Sequence, residues 1–147
     1  MFDLERQFGQ IDIYVFDQLL RGRIRPGMRV LDAACGGGRN LVYLLQSGFE
    51  VFASDADVRA VDAVRRLAAE LAPQLPTENF RVEPVEHMTF GDDFADVVLS
   101  SAVLHFARDS AQFEAMVREM WRVLKPGGML FCRLASSIGM EDRKSVV

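Results

Sequence analysis

A glycine-rich segment that follows an apolar run near residue 30 constrains the fold of this chain more than any other feature. Val30 and Leu31 lead into Asp32, and three consecutive glycines follow at 36–38. Glycine lets the backbone turn tightly and pass close to a ligand. Arg39 then begins a stretch whose leucines recur at helical spacing. The pattern predicts a buried strand, a tight loop and a helix, which is the repeating unit of parallel α/β sheets.

Four further apolar runs follow, and helical patterns separate most of them. We expect long helices to begin at Asp57 and Asp109, because aspartate side chains cap helix N-termini. A shorter helix is expected over residues 39–47, and an N-terminal helix over residues 11–20. The alternation predicts an α/β domain with a parallel sheet. The five predicted strands are Met28 to Ala33, Glu50 to Ser54, Phe80 to Val85, Asp96 to Ser100 and Met129 to Leu134.

Composition restricts the partners of the chain. Its 147 residues are 50% hydrophobic and 26% charged, which is ordinary for one globular domain. The net charge of −4 and the two lysines argue against a nucleic-acid partner, because phosphate binding needs clustered Lys and Arg. Cys35 and Cys132 are too few for a disulfide framework or a zinc site, so no metal is expected. Short apolar runs and the absence of a signal-peptide pattern predict a cytoplasmic protein that does not act at a membrane.

The loop chemistry narrows the choice of ligand. A dinucleotide fingerprint needs a third glycine where Leu41 stands, and a Walker Gly-Lys-Ser/Thr sequence does not occur. Asp32 places a fixed carboxylate at the loop, which disfavours a pyrophosphate and favours a cation. Asp55 ends the second predicted strand, where an acidic side chain can accept both hydroxyls of a ribose. The two carboxylates therefore predict a nucleoside with a cationic amino-acid arm.

These motifs resemble those of the class I S-adenosylmethionine-dependent methyltransferases. The resemblance covers roughly residues 28–134, and Arg39-Asn40 with the preceding helix is similar to the small-molecule branch that includes tellurite-resistance enzymes. It implies a Rossmann-like three-layer sandwich with sheet order 3-2-1-4-5. It also implies S-adenosylmethionine as the donor of a methyl group to a small-molecule acceptor. The matching segments, in the order of the family, are Val30–Gly38, Asp55, Phe94–His105 and Leu124–Leu130.

The resemblance also implies the residues of the site. His105, after the fourth strand, is the candidate general base for an acceptor that carries a proton. The implied cofactor contacts are Asp32 with the methionyl ammonium, Ala34 and Gly36 with the methionyl arm, Gly38 opening space, Asp55 with the ribose hydroxyls, Ala56, Val85 and Glu86 with the adenine, and Ser100 beside the sulfonium.

The chain departs from the family pattern in three places. Ala34 stands where the family usually has glycine, and we expect its φ to be negative so that the loop survives. Pro84 stands where many relatives carry an acidic residue for the adenine amino group. Relatives also continue past the fifth strand with two more strands, one antiparallel, which we expect to be absent here. The predicted single domain then consists of a lid helix (1–25), a core (26–135) and a tail (136–147), and a homodimer would cover the open edge of the fifth strand.

Two other functions stay open at this stage. The first is a module that binds S-adenosylmethionine or S-adenosylhomocysteine without turnover, because a short chain would lack part of the acceptor site. The second is an NAD-dependent oxidoreductase, against which the missing third glycine argues. Thermal-shift comparison of the two cofactors separates the second from a methyltransferase.

Overall fold

The computed structural model describes residues 3–101, 107–135 and 143–146 of the chain. Its helices are α1 (Leu4–Phe8), α2 (Ile13–Leu20), α3 (Val42–Gln46), α4 (Val58–Leu71) and α5 (Ser110–Val123), with a 3-10 turn at Thr77–Asn79. Its strands are β1 (Arg29–Ala33), β2 (Glu50–Asp55), β3 (Phe80–Val82), β4 (Ala95–Ser101), β5 (Leu124–Ala135) and β6 (Arg143–Val146). Among these helices, none has the length and apolar character needed to cross a membrane.

The strands form one sheet in the order β3-β2-β1-β4-β5-β6. The first five are parallel, which confirms the predicted order 3-2-1-4-5. The expectation that no antiparallel strand follows is wrong, because β6 pairs antiparallel with Cys132–Ala135 of β5. The outer edge of β5 offers unpaired N–H and C=O groups, and a short later segment can satisfy them.

This pairing bears on the expected second copy of the chain. The predicted homodimer would cover an open edge of β5, yet β6 lies along four residues of that edge. The reason for expecting a partner there is therefore weaker. The homodimer stays a prediction, which light scattering at high concentration tests by the measured mass.

The N-terminal segment contains two helices rather than the single one predicted. Gly9 separates them with φ 65, and a Cβ added there would lie 2.7 Å from Cγ2 of Val42 on α3. Asp12 then caps α2, because its side chain accepts a hydrogen bond from the Tyr14 N–H. The glycine thus lets the chain turn where it touches α3, and the aspartate starts the next helix.

The start of β5 also differs from the prediction of a turn before a strand. Ala95 lies opposite Leu124, whereas Val97 lies opposite Met129, so extra residues of β5 bulge out of the ladder. A Cβ on Gly128 would lie only 2.8 Å from the Asp96 carbonyl oxygen. The glycines therefore let β5 begin early and run close to β4.

Two layers of helices cover the two faces of the sheet. Alternate residues of a strand point to opposite faces, so each strand supplies both layers. One core contains side chains of α2, α3 and α4 packed on Val30, Val51 and Val97. The other contains side chains of α5 packed on Leu31 and Val98. Each fully buried aliphatic side chain stabilises the fold by roughly 1.5–3 kcal/mol, and the carboxyl ends of the strands stay free for a ligand.

Candidate functional site

A cleft of about 490 Å³ lies at the carboxyl ends of β1 and β4. The loop residues 34–40 form one wall, and Ser101 at the end of β4 forms another. Gly9 and Gln10, between α1 and α2, close a third side, and Asp32 lies at the base. Ligands of open α/β sheets bind at this edge, where the helix after the first strand begins.

Asp32 is the buried acid of the cleft. The residue is 2% exposed, and no hydrogen bond within the described part of the chain reaches its carboxylate. Burial raises its pKa to about 7, the Arg39 charge opposes this rise, and the Asp55 charge adds to it. A positively charged ligand group in the cleft would therefore stabilise an ionised Asp32.

Asp55 lies on the same face of the sheet as Asp32. Asp32 pairs with Ala53 in the parallel register, and Asp55 follows Ala53 by two residues. Its Oδ2 accepts a hydrogen bond from the Gly36 N–H and its Oδ1 from the Asp57 N–H, both at 2.9 Å. Each carboxylate oxygen keeps a further lone pair that could accept from a ligand hydroxyl.

The glycine loop contains a strained residue. Ala34 has φ 60, so the expectation of a negative φ is wrong. The turn continues through Cys35, whose N–H donates to the Ser54 carbonyl at 2.9 Å, and Gly36 has φ 55. The loop therefore requires left-handed backbone at a position where glycine would be unstrained.

The other loop glycines differ in what surrounds them. A Cβ added to Gly36 or Gly37 would meet no heavy atom within 4 Å. A Cβ on Gly38 would lie 3.1 Å from Val64 Cγ2 and 3.3 Å from Leu67 Cδ2. Gly38 thus permits close contact with α4 while it lines the cleft, and its role in opening space for a ligand stays a prediction.

The end of β4 places a different serine in the cleft from the one predicted. Ser101 lines the cleft, whereas Ser100 is fully buried and pairs with Cys132 of β5. Side chains alternate along a strand, so Ser100 points to the α5 side, away from Asp32. The Ser100 hydroxyl instead interacts with the Cys132 thiol, where it opposes the rise in the Cys132 pKa that burial causes.

The residues predicted near the adenine do not line the cleft, and Asp55, which is predicted to bind the ribose, does not line it either. Val85 is buried in the α5-side core, and Glu86 accepts a hydrogen bond from Gln112 at 3.0 Å. Ala56 is exposed directly after Asp55. None of the three lines the cleft, so their contacts with adenine stay predictions. The predicted base His105 lies outside the described residues.

Sequence reasoning missed Asp12, whose side chain is fully buried beside the cleft. Its Oδ2 accepts hydrogen bonds from Arg133 Nη1 at 2.6 Å and from Ser101 Oγ at 2.9 Å. The one local signal was an aspartate before an apolar helical run, which indicates only a cap. Arg133 is 121 residues away in the chain, so spacing could not have paired the two.

Comparison with known proteins identifies the family. The sequence matches the methyltransferase domain family over residues 31–132. The chain belongs to this family. It is 36% identical to an uncharacterised methyltransferase of Synechocystis sp. over 72% of this chain and 46% of that protein. It is also 36% identical to demethylmenaquinone methyltransferase of Mycobacterium tuberculosis over 78% of this chain and 44% of that enzyme. The chain thus spans less than half the length of these methyltransferases.

Solved structures agree with the fold. A protein of Pyrococcus horikoshii superimposes with a TM-score of 0.69 at 27% identity, covering 84% of this chain and 56% of that one. An S-adenosylmethionine-dependent methyltransferase of Methanosarcina mazei does so with a TM-score of 0.61 at 27% identity, covering 79% and 55%. The Rossmann-like methyltransferase fold is therefore confirmed, and the branch of the family stays a prediction.

Proposed function

We propose that this methyltransferase-family chain binds S-adenosylmethionine above its glycine loop and transfers the methyl group to a small-molecule acceptor. The observation that carries the proposal is the Asp32 carboxylate, which is buried, faces the cleft and receives no hydrogen bond from the described residues. Buried charges in proteins are normally paired. The methionyl ammonium is a cation that could supply the partner.

The free thiols of Cys35 and Cys132 agree with our proposal of a cytoplasmic location.

The residues present fit the cofactor. Asp32 would hold the ammonium, and the open space beside Gly36 and Gly37 would admit the methionyl arm. Asp55 keeps lone pairs for the ribose hydroxyls while its backbone contacts hold it in place. The volume of the cleft, about 490 Å³, lies in the range of small-ligand sites.

The chain contributes mainly by positioning. Bound S-adenosylmethionine supplies a methyl group on a sulfonium leaving group. Asp32 and Asp55 would fix the two ends of the ligand, and Gly9 and Gln10 form one side of the cleft. Holding two reactants in line can remove several kcal/mol from a barrier. His105 is our candidate to accept a proton from an acceptor that carries one.

A groove between α1 and α2 supports a small acceptor with an apolar part. The groove has a volume of about 390 Å³ and shares Gly9 and Gln10 with the cleft. Leu4 and Ile13 line it and are 62% and 69% exposed. Apolar pockets with few polar groups are typical of small-molecule sites. The chain's net charge of −4 also argues against a polyanionic acceptor.

Calorimetric titration with S-adenosylhomocysteine tests the proposal. We expect the wild type to bind it, and Asp32→Asn to bind at least about tenfold more weakly, a loss of about 1.4 kcal/mol. Asp62→Asn makes the same charge change at an exposed position of α4 and should bind like the wild type. No binding by the wild type, or equal binding by Asp32→Asn, would contradict the proposal.

Turnover needs a separate measurement. Incubation with methyl-labelled S-adenosylmethionine and a pool of small acceptors should give labelled product. If the acceptor carries a proton, His105→Asn should reduce the amount of labelled product. Binding of S-adenosylhomocysteine without any labelled product supports the binding-module alternative instead. Stabilisation by NAD and not by S-adenosylhomocysteine supports an oxidoreductase.

A further inference from the structure

Three residues of the cleft wall contact one buried residue, Asp12: two of them reach its carboxylate and one its backbone N–H. Its Oδ2 accepts a hydrogen bond from Ser101 Oγ at 2.9 Å and lies 3.6 Å from Arg39 Nη2. Its backbone N–H donates to Asn40 Oδ1 at 2.7 Å. Ser101, Arg39 and Asn40 all line the cleft, whereas Asp12 does not. Asp12 therefore joins the start of α2 to the glycine loop and to the end of β4.

The same carboxylate also reaches β5. Arg133 Nη1 donates to Asp12 Oδ2 at 2.6 Å, and the guanidinium lies over the Tyr14 ring at 5.1 Å. Burial works against the charge on Asp12, but the bonds from Arg133, Tyr14 and Ser101 hold its pKa below the usual range. Asp12 is thus ionised at neutral pH, and its charge is matched by the cations around it.

Helix capping accounts for only part of this arrangement. The cap uses Asp12 Oδ1, which accepts from the Tyr14 N–H at 2.8 Å. The contacts with Ser101, Arg39 and Arg133 are made by Oδ2. Asparagine caps a helix about as well as aspartate but carries no charge. The Asp12→Asn substitution therefore separates the cap from the charged contacts.

We propose that Asp12 is a positioning residue for the cofactor cleft. Its charge fixes Ser101 and Arg39 in the cleft wall and holds α2 beside the glycine loop, so that affinity for S-adenosylmethionine depends on a residue that does not line the cleft. The inference rests on the proposed function in one respect, which is that it takes S-adenosylmethionine as the ligand. The contacts that carry it do not depend on that function.

The test compares Asp12→Asn with Asp17→Asn. Asp17 lies on the same helix in an exposed pair with Arg21 at 2.8 Å, so its substitution makes the same charge change away from the cleft. For Asp12→Asn we expect unchanged helix content, at least tenfold weaker binding of S-adenosylhomocysteine, and faster amide hydrogen exchange in residues 34–40 of the ligand-free protein. Asp17→Asn should match the wild type within twofold.

A double variant separates positioning from simple loss of stability. In Asp12→Asn/Arg133→Gln neither partner of the buried pair keeps its charge, so thermal stability should recover relative to Asp12→Asn. Affinity for S-adenosylhomocysteine should stay low, because Ser101 and Arg39 still lack their charged partner. Recovery of affinity together with stability would overturn the proposal, and the double variant also serves if Asp12→Asn fails to fold.

Wild-type affinity in Asp12→Asn, with unchanged exchange in residues 34–40, would also overturn it. If the wild type itself fails to bind S-adenosylhomocysteine, the proposed function fails. The exchange comparison on the ligand-free protein then decides separately whether Asp12 orders the cleft wall.

Discussion

Replacing Asp32 with asparagine should make the ligand-free protein more stable at pH 8 while weakening its binding of the cofactor. Burial raises the pKa of Asp32 from 3.8 to about 7. Each pKa unit corresponds to about 1.4 kcal/mol, so ionised Asp32 costs the fold on the order of 4 kcal/mol. The asparagine amide that replaces the carboxylate is buried without a hydrogen-bond partner, which destabilises the fold by about 1–3 kcal/mol. The expected net gain is about 1–3 kcal/mol, or roughly 3–9 °C in Tm.

The pH dependence identifies the cause of the gain. An acid whose pKa is higher in the folded state binds more protons when folded, so stability falls as pH rises from the unfolded pKa of 3.8 towards about 7. Between pH 5.5 and 8 the wild type should lose about 2 kcal/mol through this group. The carboxyls with lowered pKa, such as Asp96 and Glu119, are ionised throughout this range and add little slope.

Urea denaturation at several pH values measures the effect. We compare the unfolding free energy of Asp32→Asn with that of the wild type at each pH. In this difference, the contributions of the ionisable groups that both proteins share cancel. This difference should grow from pH 5.5 to 8, whereas the difference for exposed Asp62→Asn should stay flat. An Asp32→Asn protein that is less stable than the wild type at pH 8, or a difference independent of pH, would refute the reasoning.

Three further predictions concern the loop and its ligand. Ala34→Gly removes left-handed strain of about 1–2 kcal/mol but adds unfolded-state freedom worth about 0.4–1 kcal/mol. Thermal denaturation should therefore show a net gain of about 1 kcal/mol, and a clear loss contradicts the observed φ of 60. Gly36→Ala should be less stable than Gly37→Ala by about 1–2 kcal/mol. Both positions have space for a Cβ, but of the two only Gly36 has a positive φ. Equal stabilities of the two variants would contradict this prediction. Affinity for S-adenosylhomocysteine should fall by up to about tenfold per pH unit below 7, because Asp32 must lose a proton to pair with the ammonium; calorimetry across pH checks this, and Asp32→Asn should show no such fall.

Features that depend on neighbouring residues could be predicted from the sequence. The helices expected after Asp57 and Asp109 begin there, because the Asp57 carboxylate accepts from the Arg59 N–H at 2.9 Å and that of Asp109 from the Gln112 N–H at 2.8 Å. Both contacts span two or three residues.

The sequence does not predict the strand β6, because backbone hydrogen bonds to β5 hold it and these leave no hydrophobic pattern.

The sequence pattern by itself determined a parallel α/β sheet and the position of two acids, Asp32 and Asp55, near the ends of their strands, while the strand order came from the family resemblance. Only the tertiary structure decided that Ser101 rather than Ser100 reaches the cleft, because the face of a strand residue depends on register with its neighbours. It alone also brought Arg133 to Asp12, across 121 residues. Local patterns record periodicity and caps, whereas a buried charge finds its partner only when distant strands and helices have packed together.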